Sequence, residues 1–189
     1  MKKISTLFAK NPSDLARVVN KINVENAWVI DGEAIATRKF DGTSTAIING
    51  ELYKRFDAKK GRKIPVGAIP CQEADLISGH HPHWLKCDRT KTEDKFFFEG
   101  FDALESKEDG TYELCGPKVQ GNPEKLATHT LLKHGIEVFD FLSFEFDDLR
   151  DFLTENDIEG IVFHHKTDGR MCKLRKTDFG IKRLELEPV

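Results

Sequence analysis

Apolar positions recur along this chain at two different spacings. In NPSDLARVVNKI (11–22), Leu15, Val18, Val19 and Ile22 follow a Ser13 or Asp14 cap signal at helical spacing, which predicts a helix. AWVID, EAIATRK, TSTAIING and ELYKRFD then read as strands, broken by Asp31-Gly32, Asp41-Gly42 and Asn49-Gly50. That run predicts an antiparallel meander. Residues 58–75, with Gly61, Pro65, Gly67 and Pro70, read as loop. TKTEDKFFFEGFDAL predicts a helix, GTYELCGPKV a strand, GNPEKLATHTLLKHG a short helix ended by Gly135, and IEVFDFLSF a strand. EFDDLRDFLTEN predicts an acidic amphipathic helix, and IEGIVFHHKTDGRMCKLRK a hairpin turning at Asp168-Gly169. The expected fold is α+β, with mainly antiparallel sheets and flanking helices, in a single domain over 1–189.

Composition narrows the class. The 189 residues are 39% hydrophobic and 32% charged, a globular balance. No apolar run approaches a membrane span, and MKKISTLFAKNPSDL fails as a signal peptide, so a cytoplasmic protein without membrane partners is expected. Cys71, Cys87, Cys115 and Cys172 form no C-x-x-C pair and read as scattered reduced thiols. His80, His81, His83 and Cys87 lack a usual zinc spacing, and His129 and His134 read as decorations of a helix end. Net charge is -3, so the surface as a whole is no basic glove for nucleic acid. The cations are nevertheless clustered. Lys54, Arg55, Lys59, Lys60, Arg62 and Lys63 crowd one stretch, and Lys166, Arg170, Lys173, Arg175 and Lys176 another. Such patches on a mildly acidic chain suit phosphate groups, although solvated charge is the commoner meaning of such runs.

Lys39 sharpens the picture. It stands at a strand end before Asp41-Gly42, where a buried ammonium is costly unless paired or neutralised. As a neutral amine it would be a nucleophile, which requires desolvation or nearby cations to strip its proton. Taken alone, Lys39-Phe40-Asp41-Gly42 is as well read as a lysine before a hairpin turn. Later stretches change that. TYELCG (111–116), EVFDF (137–141), EGIVF (159–163) and MCKLRKTDF (171–179) follow in order. Together with KFDG they resemble the successive motifs of the covalent nucleotidyltransferases: DNA ligases, RNA ligases and mRNA-capping enzymes.

The resemblance implies roles. Lys39 is the nucleophile that attacks the α-phosphorus of ATP, on a turn formed by Asp41. Arg55 handles phosphate, with Lys54 assisting. Glu113 accepts a hydrogen bond from a ribose hydroxyl. Phe139 stacks on the base; Phe141 has the same parity and is the alternative. Glu159 binds Mg²⁺ (or Mn²⁺) and poises the lysine. Lys173 and Arg175, which alternate along a strand, grip the α-phosphate. Position 175 departs from the family pattern, which has lysine there. Lys54, Lys59, Lys60, Arg62 and Lys63 are placed to meet RNA phosphates.

An OB-fold, which follows the last motif in DNA ligases and capping enzymes, is too large for TDFGIKRLELEPV, so an adenylyltransferase domain without one is expected. The layout of GHHPHWLKCD (79–88) followed by YELCGPKVQGNPE is similar to RNA ligases found in phages and animals. The expected activity is therefore an ATP-dependent RNA ligase joining 5′-phosphate and 3′-hydroxyl ends. The alternatives are a minimal DNA ligase, a capping-type guanylyltransferase, and a non-catalytic nucleic-acid-binding module.

Overall fold

The computed structural model describes residues 4–58, 62–74, 79–140 and 143–183. In chain order it holds β1 (Ser5–Thr6), β2 (Phe8–Asn11), β3 (Asp14–Ile22), a 3-10 segment (Val24–Val29), β4 (Ala34–Lys39), β5 (Thr43–Ile48) and β6 (Glu51–Ala58). There follow β7 (Ile69–Pro70), β8 (His81–Lys86), α1 (Lys95–Asp102), β9 (Gly110–Cys115), β10 (Thr130–Lys133) and β11 (Val138–Phe139). The chain continues through α2 (Phe146–Glu155), β12 (Gly160–His165), β13 (Met171–Arg175) and a 3-10 turn (Lys176–Phe179). The fold is mixed α+β, dominated by antiparallel sheets with few helices. No helix among the described residues is long and apolar enough to cross a membrane. Where the sequence suggests one domain, the described residues fall into two compact units, with the chain passing between them at 40/41 and 134/135.

The first unit, Asp41–His134, is built on a six-stranded sheet in the order β10-β9-β5-β6-β8-β7. One face carries Ile47, Leu52, Tyr112, Leu114 and Leu131, which pack with Phe101 of α1. The β5–β6 hairpin turns through Asn49 and Gly50, both left-handed, with φ of 51° and 74°. The Asp109 carboxylate accepts both of their N–H groups, at 2.8 and 3.0 Å.

The second unit comprises the described residues of Ile4–Phe40 and Gly135–Val189. Its five-stranded sheet runs β1-β13-β12-β4-β11, antiparallel except for β1 beside β13. Leu149 and Leu153 of α2 cover one face, packing with Phe8, Ala36, Ile161, Phe163, Cys172 and Leu174. The cysteines of both units are free, and burial pushes the Cys87 thiol up to about 12.

Several expected elements differ. Residues 14–22 form β3, not a helix. Val18 and Ile22, four apart, satisfy strand alternation as well as a helical face, and Leu15 is 72% exposed. The supposed caps make turns instead: Asn11 Oδ1 accepts the Ser13 N–H and Asp14 Oδ1 that of Ala16. AWVID lies largely in a 3-10 segment. GNPEKLATHTLLKHG holds no helix, because Gln120, Gly121, Asn122 and Lys125 adopt left-handed backbone, and β10 follows, with Leu131 opposite Leu114. The stretch 58–75, expected as loop, contains the short β7, and β8 follows it. The 136–144 strand is short, and Phe141 lies outside the described residues.

Asp41-Gly42 is not a hairpin turn either. It links β4 to β5, which belong to different sheets. Gly42 is required by close approach, since a Cβ there would sit 2.2 Å from the Leu114 carbonyl oxygen.

Candidate active site

The register of the five-stranded sheet builds the first group of residues. Lys39 lies opposite Gly160, and Gly160 opposite Arg175. The next row inward holds Thr37, Val162 and Lys173. Directly opposed residues share a sheet face, and alternate residues along a strand return to it. Lys39, Lys173 and Arg175 therefore share the face turned away from α2. Gly160 opens β12 because a Cβ would meet the Leu174 carbonyl oxygen at 2.3 Å.

Glu159, immediately before Gly160, ion-pairs with the Lys39 ammonium. Burial, then the charges of Arg175 and Lys39, push the Lys173 ammonium down to about 8, against the pull of Glu159 and Asp178. Arg175 is held by Asp178, a fully buried carboxylate that accepts its backbone N–H at 2.8 Å and Nη2 at 3.0 Å. Lys10 reaches the same carboxylate from β2 at 2.6 Å. The hydrogen bond that the Arg175 side chain donates to Asp178 raises the guanidinium further, against the effect of burial.

Phe139 does not offer a ring on this face. It pairs with Ala36, which is in the α2 core, so it shares the core face opposite Lys39. Its ring meets Phe152 edge-on at 5.3 Å. Val138, opposite Thr37, is the residue of β11 on the Lys39 side.

In the other unit, Glu113 sits on β9 between the core residues Tyr112 and Leu114, so it faces away from α1. His134 Nε2 is 2.9 Å from its carboxylate, and His134 Nδ1 is 3.0 Å from Thr111 Oγ1. An Nε2–H donated to Glu113 leaves Nδ1 to accept the threonine hydroxyl, which fixes the ring. Ser44 lies directly opposite Glu113, and its buried hydroxyl meets no hydrogen-bond partner among the described residues. His134 is thus no helix-end decoration. Neither is His129, whose Nδ1 lies 2.7 Å from Glu99 and whose ring stacks on Phe96.

The expected nucleic-acid cations divide. Lys54 faces the core side of β6 and pairs with the fully buried Asp94, which makes it structural rather than a phosphate contact. Lys54→Met should destabilise the fold by about 3 kcal/mol by leaving Asp94 without its cation; chemical denaturation measures this, and an unchanged midpoint would contradict the role. Arg55 points the other way, opposite Trp84. Arg62 and Lys63 are exposed, with the Arg62 guanidinium 4.7 Å from the Phe56 ring centroid. Lys59 and Lys60 lie outside the described residues. Asp41 donates its backbone N–H to Glu124 at 3.0 Å.

Sequence reasoning missed Lys10, Asp178, Ser44 and the role of His134. The one local signal was Asp178 three residues after Arg175, the spacing of a capping box across the 3-10 turn. Neither the protein-family models nor the curated proteins compared with this chain contain a match to it.

Proposed function

We propose that the protein is an ATP-dependent RNA ligase that works through a lysyl–AMP intermediate on Lys39. The observation that carries this reading is the gathering of Lys39, Glu159, Lys173 and Arg175 at one end of one sheet face. A lysine in contact with a carboxylate, flanked by two more cations, suits nucleophilic attack on phosphorus.

Lys39 first gives up a proton, for which Glu159 is the acceptor in contact. Its Nζ attacks the α-phosphorus of ATP. The N–P bond forms, the bond to the bridging oxygen breaks, and pyrophosphate leaves. Lys173 and Arg175 offset the charge that builds on the non-bridging oxygens. The adenylyl group then passes to the 5′-phosphate of an RNA end, freeing Lys39. A 3′-hydroxyl attacks that phosphate, AMP leaves, and the strand is sealed.

Glu159 is a single hard carboxylate, and no group of three or more metal-ligating side chains occurs among the described residues. That donor set fits Mg²⁺ or Mn²⁺ held by Glu159, with phosphate oxygens and water completing the shell. Such an ion supplies charge neutralisation at the phosphates. For Glu113, fixed by His134 beside the unpaired Ser44 hydroxyl, a ribose hydroxyl is a chemically suited partner. Phe139 has no part in this proposal. The choice of ATP and of RNA rests on the resemblance carried by GHHPHWLKCD and YELCGPKVQGNPE.

The test is to incubate the protein with ATP and Mg²⁺, then offer 5′-phosphorylated RNA and DNA, nicked and single-stranded. Sealing of RNA ends is expected. Preferential sealing of DNA, or covalent labelling by GTP alone, would replace this reading with a DNA ligase or a capping enzyme. No covalent label with either nucleotide would reduce the protein to a binding module.

A further inference from the structure

Lys10 belongs to an element remote in sequence from the site, yet its ammonium donates to Asp178 Oδ1 at 2.6 Å, the oxygen that also receives Arg175 Nη2 at 3.0 Å. Burial alone would raise the Asp178 carboxyl, but the hydrogen bonds from Arg175 and Lys10 outweigh it and hold it below the usual range. The carboxylate thus stays ionised and yokes the two cations side by side. Asp178 pairs with Lys10 and Arg175, Glu159 pairs with Lys39, and Lys173 feels the charges of both acids, so four cations meet two carboxylates. Excess cations gathered at one end of a sheet need an anion with more than one charge.

We propose that Lys10 is an additional phosphate-binding residue, one that grips the terminal phosphates of a nucleoside triphosphate. This rests on nucleotidyl transfer at Lys39. Lys39 and Arg175 stand two strands apart, about 10 Å between backbones. Lys10 adjoins Arg175 through Asp178. A phosphoanhydride tail is a linear polyanion. With its α-phosphate at Lys39, the rest of the tail runs along this row of cations towards Arg175 and Lys10. Lys10 keeps 31% of its side chain exposed while Asp178 is closed off, so the ammonium has donors left for a ligand.

Calorimetric titration of inorganic tripolyphosphate into the intact, unlabelled chain tests this without any chemical step. Lys10→Met keeps most of the aliphatic stem and removes the charge; Lys10→Arg keeps the charge. Lys10→Met should weaken tripolyphosphate binding by about tenfold, and Lys10→Arg should return it to within about twofold of wild type. Equal affinity in wild type and Lys10→Met overturns the proposal, as does no binding by the wild type. If Lys10→Met does not unfold cooperatively, the polar, uncharged Lys10→Gln takes its place: a loss of about tenfold supports the assignment and wild-type affinity overturns it. A 5′-phosphorylated oligonucleotide weakened by Lys10→Met while tripolyphosphate is not would assign Lys10 to the nucleic-acid end and overturn the proposal. If Lys39 takes up no nucleotide but tripolyphosphate binding still depends on Lys10, the ligase reading falls and this anion site stands.

Discussion

Lys39→Met protein, incubated with Mg²⁺ and ATP labelled on its α-phosphate, is expected to acquire no covalent label, whereas wild type does. The effect is the largest available because the substitution removes the proposed nucleophile itself, and no neighbouring lysine stands in its place. Lys173 is a lysine on the same face, but it sits on β13, two strands from β4. Lys39→Arg should be equally silent, since a guanidinium keeps the charge and stays protonated. Both variants retain a cation or an apolar stem beside Glu159, so each should fold. Comparing their thermal transitions with wild type separates loss of chemistry from loss of structure. A label that survives either substitution would place the nucleophile elsewhere.

The second large effect belongs to Lys173. Lys173→Met should slow covalent labelling by about 10²- to 10³-fold, the scale for losing one charge aimed at a developing anion. Burial is the main reason this ammonium releases its proton at about 8 in the folded chain, against 10.5 in the unfolded one. Between those values the unfolded chain binds more protons, so stability rises with pH across that window. Below about pH 8 the folded chain carries a half-buried, partly desolvated cation at a cost. Lys173→Met removes that cost, so its stability advantage over wild type should be greatest near pH 7 and shrink towards pH 10. Chemical denaturation at the two pH values measures the difference. A constant difference would mean that Lys173 is not a desolvated, partly discharged cation.

The residues most legible in the sequence were those whose role depends on local alternation. Lys173 and Arg175, two apart on a strand, had to share a face, and they do. Glu159, expected from the resemblance to hold Mg²⁺ and poise the lysine, ion-pairs with the Lys39 ammonium. Phe139 was misread because parity within β11 does not reveal which parity faces Lys39. The Phe139–Ala36 register decides that, and strand register is invisible in one segment alone. Residues 14–22 were ambiguous because Val18 and Ile22 fit both periods, and pairing with β2 settled the matter. Asp41-Gly42 carries a strong hairpin signal, yet the chain changes sheets there, and the glycine answers to a nearby carbonyl rather than to a turn. The Lys10–Asp178 contact spans 168 residues, so no local pattern could announce it.

In the proposed mechanism Lys39 forms a covalent bond to a nucleotide. Mass-spectrometric peptide mapping of the wild-type chain after incubation with ATP and Mg²⁺ tests it most directly. The expected result is an adenylyl adduct on the peptide that contains Lys39, bonded through Nζ and reversed by added pyrophosphate. An unmodified Lys39 peptide, or an adduct on any other residue, would contradict it.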